Sequence, residues 1–230
     1  MLTIVFDLDG TLIDTAPDLI DTLNLILAQE RLPAMPFDAA RQLIGGGSRG
    51  MLERALIADG RQASKAEMDR LFAAFITHYA AHIADRSRPF PHLGATLDRL
   101  ATEGYRLAVC TNKLEWLSRR LLTMLNLTRH FAAICGQDTF GVMKPDPEVL
   151  RQTILRAGGD PAAAIMVGDS GTDIRTARAA KVPVIAVDFG YTEVPIASLQ
   201  PDRIISAYDE LPAAIEAVLA ERPQPLTGAE

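Results

Sequence analysis

With 230 residues, 48% of them hydrophobic and 23% charged, the chain has apolar material for one large core or two small ones, which excludes disordered, collagenous and coiled-coil classes. Acidic residues outnumber basic ones by 29 to 23, a net charge of -6, so no general positive field exists to gather nucleic acid or an anionic membrane, and any phosphate must be held by a local site. No apolar run approaches the ~20 residues of a membrane span, and the N-terminal stretch has no charged region ahead of its apolar run, which predicts a cytoplasmic protein without membrane partners.

The first element is the run 3–6, which reads as a strand buried on both faces. It ends in Asp7-Leu8-Asp9-Gly10-Thr11. Strand alternation sends Asp7 and Asp9 the same way, so both carboxylates can address one small volume at the edge where open α/β sheets bind ligands. Gly10 permits a tight turn behind them. A D-x-D-G-T string would arise by chance in roughly one chain of this length in 300.

From residue 15 to about 87 no strand is predicted. Leu19, Ile20, Leu23, Ile26 and Leu27 form one helical stripe within 17–30, and Met68, Leu71, Phe72, Phe75, Ile76 and Tyr79 form another within 66–83. Gly45-Gly46-Gly47-Ser48 breaks this region, and Arg86-Ser87-Arg88-Pro89-Phe90-Pro91 ends it. The glycine run lets backbone approach a ligand closely, which makes Gly46, Gly47 and the adjacent Arg49 candidates to lean over a site; an ordinary helix-to-helix turn with an exposed arginine is the alternative.

Beyond residue 88 strand-like runs at 106–110, 132–135, 164–167, 182–187 and 203–205 alternate with helix-period segments at 92–103, 116–127, 147–157 and 172–180. That alternation predicts a doubly wound parallel sheet, with the helical unit inserted after its first strand. The predicted organisation is an α/β core at 1–14 and 88–222, a helical cap at 15–87 and a flexible tail at 223–230.

Three further clusters follow strands or open helices. Cys110-Thr111-Asn112-Lys113 offers a hydroxyl and successive N–H groups to phosphate oxygens, or equally a helix cap. Met143-Lys144-Pro145-Asp146-Pro147 supplies a lysine on a fixed backbone. Val167-Gly168-Asp169-Ser170-Gly171-Thr172-Asp173 supplies two carboxylates suited to Mg²⁺, a hard ion that takes oxygen ligands. Lysine is scarce: Lys65, Lys113, Lys144 and Lys181 are the four against 19 arginines, and two of them fall inside these clusters. The cysteines, Cys110 and Cys135, both lie in apolar strand-like runs and read as buried thiols rather than a disulfide.

Taken in this order, the four clusters resemble those of the haloacid dehalogenase superfamily of aspartate-nucleophile phosphotransferases, over essentially the whole chain. The resemblance implies a Rossmann-like core with a cap at that family's first cap position. It implies Asp7 as nucleophile and Asp9 as general acid and then base. It also implies Thr111 and the backbone of Asn112 as holders of the phosphoryl oxygens, Lys144 as counter-charge, and a Mg²⁺ site in which Asp7, the Asp9 carbonyl and Asp169 bind the ion and Asp173 supports its water shell. Gly10, Thr11 and Lys113 join the expected phosphate and substrate contacts. Asp9 argues against the dehalogenases and phosphonate hydrolases of the superfamily, and Gly171 stands where many relatives carry Arg or Asn.

Segments such as Asp14-Thr15-Ala16-Pro17-Asp18-Leu19, Arg88-Pro89-Phe90-Pro91, Cys135-Gly136-Gln137-Asp138-Thr139-Phe140 and Asp188-Phe189-Gly190-Tyr191 look most like the phosphoglycolate phosphatases. The implied partner is a small phosphorylated metabolite, 2-phosphoglycolate first, with sugar phosphates, amino-sugar phosphates and pyrophosphate as alternatives. A mutase and a phosphate-responsive binding module without turnover complete the readings. The chain is expected to act as a monomer or homodimer.

Overall fold

Strand β1, Thr3–Phe6, is buried along its whole length and divides the interior by alternation: Ile4 and Phe6 join one hydrophobic cluster, Val5 the other. The computed structural model describes residues 1–192 and 194–221. After β1 come a two-residue strand β2 (Ile13–Asp14) and four helices, α1 (Ala16–Gln29), α2 (Phe37–Arg41), α3 (Gly47–Ala58) and α4 (Lys65–Ala81). A second two-residue strand, β3 (Arg88–Pro89), pairs antiparallel with β2, Ile13 opposite Pro89 and Asp14 opposite Arg88, so the chain leaves for the helical unit and returns at one point. That pair is too short to carry a periodic pattern and was not expected from the sequence.

The rest alternates as predicted: α5 (Leu93–Thr102), β4 (Arg106–Cys110), α6 (Glu115–Met124), β5 (Ala133–Cys135), α7 (Pro147–Arg156), β6 (Ala164–Gly168), α8 (Gly171–Ala180), β7 (Val184–Val187), β8 (Arg203–Ile205) and α9 (Leu211–Ala220). The six longer strands form one parallel sheet in the order β5-β4-β1-β6-β7-β8. The chain builds outward from β1 to β5, then crosses back to β6 on the other side, so the carboxyl ends of β4, β1 and β6 meet at a topological switch point, where such sheets bind ligands.

Two strand expectations are corrected. The run at 182–187 begins its strand only at Val184, because Val182 donates to Ala177 O at 2.9 Å and Lys181 sits at φ 62°, closing α8 first. The last strand is not buried on both faces; it is the sheet edge, and Ile204 is 40% exposed. Both cysteines are free and buried, opposite one another across β4 and β5, and burial pushes the Cys110 thiol up to about 12. Among the described residues no helix is long and apolar enough to cross a membrane. The tail expected at 223–230, and residue 222, lie outside the described residues.

In the helical unit α1 packs on α4 and α3 packs on α4. The predicted α1 stripe is buried throughout; on α4 Met68, Leu71, Phe75 and Tyr79 are buried while Phe72 and Ile76 lie at the margin. Ser64 caps α4, its hydroxyl accepting from Glu67 N. The return to the core is fastened by Asp18, 3% exposed, whose carboxylate accepts from Arg86 N at 2.9 Å, Ser87 N at 2.8 Å and Ser87 Oγ at 2.6 Å. Asp18→Asn places an NH₂ against these donors and is expected to cost roughly 1–3 kcal/mol. Thermal melts check this, and an unchanged midpoint would show that Asp18 does not fasten the segment at Arg86 and Ser87.

Candidate active site

The loop after β1 continues the sheet by one bond, Asp7 N donating to Val167 O at 2.9 Å, then turns under itself with Leu12 N and Ile13 N both donating to Leu8 O. Gly10 makes the turn possible: at φ 83° any added Cβ would collide with Asp169 and the ring of Tyr191. Thr11 donates its hydroxyl to Asp169 Oδ1 at 2.9 Å, and Tyr191 N donates to Asp169 Oδ2 at 2.6 Å. The loops after β1, β6 and β7 are thereby tied together around one carboxylate.

Lys144 sits beneath this group, 3% exposed, its ammonium 2.8 Å from Asp7 Oδ1 and 2.6 Å from Asp173 Oδ1. Asp173 closes a capping box at the start of α8, accepting from Ser170 N at 3.1 Å and Ser170 Oγ at 2.6 Å through its other oxygen. Asn112 fixes the lysine from the third loop: its Oδ1 accepts from Lys144 N at 2.9 Å and its Nδ2 donates to Lys144 O at 3.1 Å. Thr111 extends the β4–β5 pairing through Thr111 N to Cys135 O at 3.0 Å, and its hydroxyl accepts from Lys113 N at 3.2 Å.

Electrostatically the site is short of positive charge. Burial, resisted by Lys144 and aided by Asp173 and Asp9, raises the Asp7 carboxyl to about 6. Burial together with Asp173 and Asp7 raises Asp169 to about 8, although the donors Tyr191 N and Thr11 Oγ1 oppose this. Burial would lower Lys144, but Asp173 and Asp7 outweigh it and hold the ammonium well above its ordinary value. One oxygen from each of Asp7, Asp169 and Asp173 lies within 4.8 Å of the others. The buried Asp7 Oδ1, although 2.8 Å from the ammonium, has no well-aligned hydrogen-bond donor. An all-oxygen set of three buried carboxylates with an unsatisfied oxygen fits a hard divalent cation.

The Asp9 carboxylate stands outside that trio. It accepts from Thr15 Oγ1 at 2.8 Å and from Lys113 Nζ at 2.9 and 3.1 Å. Lys113 is itself buried, its Nζ 4.5 Å from the centroid of the Tyr79 ring on α4. Asp7, Asp9, Thr111, Asn112 and Lys113 line one cleft whose opposite wall is helical: Leu19 of α1, Ile44, Gly45, and Gly47, Ser48 and Met51 of α3. Gly47, at φ 75°, lies so close to the Asn112 carbonyl that a Cβ would stand 3.3 Å from it, and Asn112 Nδ2 reaches Gly45 O at 3.4 Å. Gly46 packs against the guanidinium of Arg54, which donates to Leu43 O.

Of the residues expected from the glycine loop, neither Gly46 nor Arg49 lines this cleft. Because Gly47 opens a helix, Arg49 falls on the outer side of α3, where it pairs with Asp69 and lies 5.0 Å over the Phe72 ring, half exposed. Two residues of the site were not expected there from the sequence: Thr15 and Tyr191. The Tyr191 hydroxyl donates to Asp14 Oδ1 at 2.6 Å and accepts from Ala16 N at 3.0 Å, and the Arg41 guanidinium lies 5.0 Å over its ring. Segments noticed for their family likeness, 14–19 and 188–191, thus meet through Tyr191, Asp14 and Ala16.

A family model described as haloacid dehalogenase-like hydrolase matches residues 4–187. The phosphoglycolate phosphatase of Mesorhizobium japonicum is 52% identical over 219 residues, 95% of each chain. That of Caulobacter vibrioides is 45% identical over 226 residues, 98% of this chain and 95% of its own. Among solved structures, a predicted phosphoglycolate phosphatase from Haemophilus somnus matches with a TM-score of 0.87 at 29% identity, covering 94% of this chain and 98% of that one.

Proposed function

We propose that this chain, which belongs to the haloacid dehalogenase-like hydrolase family and is a phosphatase, hydrolyses 2-phosphoglycolate to glycolate and phosphate through a phosphoryl group carried on Asp7. One juxtaposition carries the reading: a buried carboxylate, Asp7, opens onto a cleft that also presents Asp9, Thr111 and Asn112, in a chain whose relatives bear that activity in their names.

Asp7, Asp169 and Asp173 would hold Mg²⁺, whose charge, when bound, offsets the repulsion between a phosphomonoester dianion and the attacking carboxylate. Lys144 supplies the second counter-charge from below, and Asn112 fixes it by both backbone groups. The Thr111 hydroxyl, the backbone N–H of Asn112 and the Gly10–Thr11 turn orient the phosphoryl oxygens. An Asp7 oxygen bonds to phosphorus as the ester P–O bond breaks, and Asp9 delivers its proton to the departing alkoxide. Asp9 then takes a proton from water, which attacks the acyl-phosphate and regenerates Asp7. Residues 15–87 act as a cap over the core at 1–14 and 88–222, hinged near 14–17 and 87–91, with Gly45, Gly47 and Ser48 excluding bulk water when closed.

Because Asp7 and Asp169 are raised to about 6 and about 8, both hold protons over a range where ordinary carboxyls have lost them, and a cation must displace those protons. Apparent Mg²⁺ affinity is therefore expected to rise as pH rises from about 6 to about 8, with net proton release in calorimetry at the lower end. A pH-independent affinity over that interval contradicts the proposed ligand set. The reading as a whole is tested by phosphate release: purified protein should turn over 2-phosphoglycolate in Mg²⁺, stop when the metal is chelated and resume when it is restored. No release in Mg²⁺ overturns it.

A further inference from the structure

The cleft that holds Asp7 has one cation among its described lining residues, Lys113. Lys144 is committed behind Asp7, between that residue and Asp173, and Arg49 faces Asp69 on the far side of α3. Resting on the proposed phosphatase reading, we propose that Lys113 recognises the carboxylate of the substrate, so that the enzyme selects phosphomonoesters whose leaving alcohol carries an anionic group one carbon from the ester oxygen.

The argument is positional. Asp9, as the acid that protonates the leaving oxygen, must lie within hydrogen-bond reach of that oxygen, and Lys113 Nζ lies 2.9 and 3.1 Å from its two carboxylate oxygens. The ammonium therefore stands about one hydrogen-bond length beyond the group that touches the ester oxygen. In 2-phosphoglycolate a single methylene separates that oxygen from the carboxylate, which places the carboxylate beside Lys113.

Chemistry favours the same assignment. An ammonium has three N–H donors, and the contacts with Asp9 use two. Its side chain is 3% exposed, and the Tyr79 ring, 4.5 Å away, takes the place of water on one side. A cation held this dry interacts with a second anion far more strongly than one in solvent. Tyr79 belongs to α4, so the carboxylate pocket is complete only with the helical unit against the core, which links recognition of the acid to closure.

The test compares kcat/KM in Mg²⁺ for 2-phosphoglycolate and for ethyl phosphate, an alcohol of the same length without the carboxylate. Damage to Asp9 lowers both values, and most for ethyl phosphate, whose alkoxide is the poorer leaving group, so it cannot by itself lower the ratio. Lys113→Met is expected to reduce the preference for 2-phosphoglycolate on the order of 100-fold, and Lys113→Arg, which keeps a cation, to retain most of it. If Lys113→Met keeps the wild-type ratio while both rates fall, Lys113 acts only through Asp9 and the inference is overturned. Should Lys113→Met not fold, Lys113→Gln in the turnover-silent Asp7→Asn chain reads the same ratio as binding affinities for the two esters, and an unchanged ratio there also overturns it. A wild-type enzyme that prefers sugar phosphates to 2-phosphoglycolate sinks the substrate reading itself; a wild-type preference that survives every Lys113 variant sinks only this inference.

Discussion

Asp7→Asn is expected to lower turnover of 2-phosphoglycolate by at least ~10⁴-fold while leaving the chain folded. The amide is nearly isosteric, so the strand-end bond from residue 7 N to Val167 O and the packing around β1 persist. What disappears is the nucleophile and one oxygen of the acidic trio. The effect on stability should be small, because two opposing consequences meet at this residue. Losing the charge removes an ion pair with Lys144 at 2.8 Å, yet it also relieves burial and the repulsion from Asp173 and Asp9 that raise the Asp7 carboxyl to about 6. Steady-state kinetics and a thermal melt together make the check: activity within tenfold of wild type would end the assignment of Asp7, and a collapsed fold would mean that the residue is chiefly structural.

Lys144→Met should be the more damaging change overall. It leaves Asp7 and Asp173, both buried, without the cation that lies 2.8 and 2.6 Å from them, and breaking a buried ion group by removing one partner typically costs about 3–5 kcal/mol. At roughly 2–4 °C per kcal/mol for a chain of this size, the melting midpoint falls by about 6–20 °C. Loss of the counter-charge should also reduce kcat on the order of 10³-fold. Added Mg²⁺ should restore more stability to the variant than to the wild type, since the cation then meets less competition at the same carboxylates. A variant that melts with the wild type would show that Lys144 does not neutralise this group.

The core was readable in the sequence because its signals are local. Each long strand is a short apolar run, and the runs of β1, β4 and β6 are each followed within three residues by polar groups, so the edge on which Asp7, Thr111, Asn112 and Asp169 would gather followed from the alternation of strand and helix. What could not be read is carried by long-range contacts. Asp18 meets Ser87 across 69 positions, Tyr191 meets Asp14 across 177, and Lys113 meets Asp9 across 104; nothing near any of them in the chain names the partner.

Arg49 shows the converse. Its neighbours in sequence Gly45, Gly47 and Ser48 do face the cleft, but one turn of helix redirects the side chain toward Asp69 and Phe72 on α4. Asn112 is expected to serve through its backbone; the structure shows its side chain holding both backbone groups of Lys144. Lys113 is expected only as one of the phosphate and substrate contacts; its pairing with Asp9 and its place against the Tyr79 ring exist only in the fold.

Whether 2-phosphoglycolate is the substrate of this phosphatase is decided by a ranking of kcat/KM over a substrate panel in Mg²⁺. The panel comprises 2-phosphoglycolate, ethyl phosphate, hexose and amino-sugar phosphates, and pyrophosphate. The account predicts that 2-phosphoglycolate leads by at least ~10-fold, as expected where a dry cation pairs with the substrate's second anion. A sugar phosphate or pyrophosphate at the head of that ranking contradicts it.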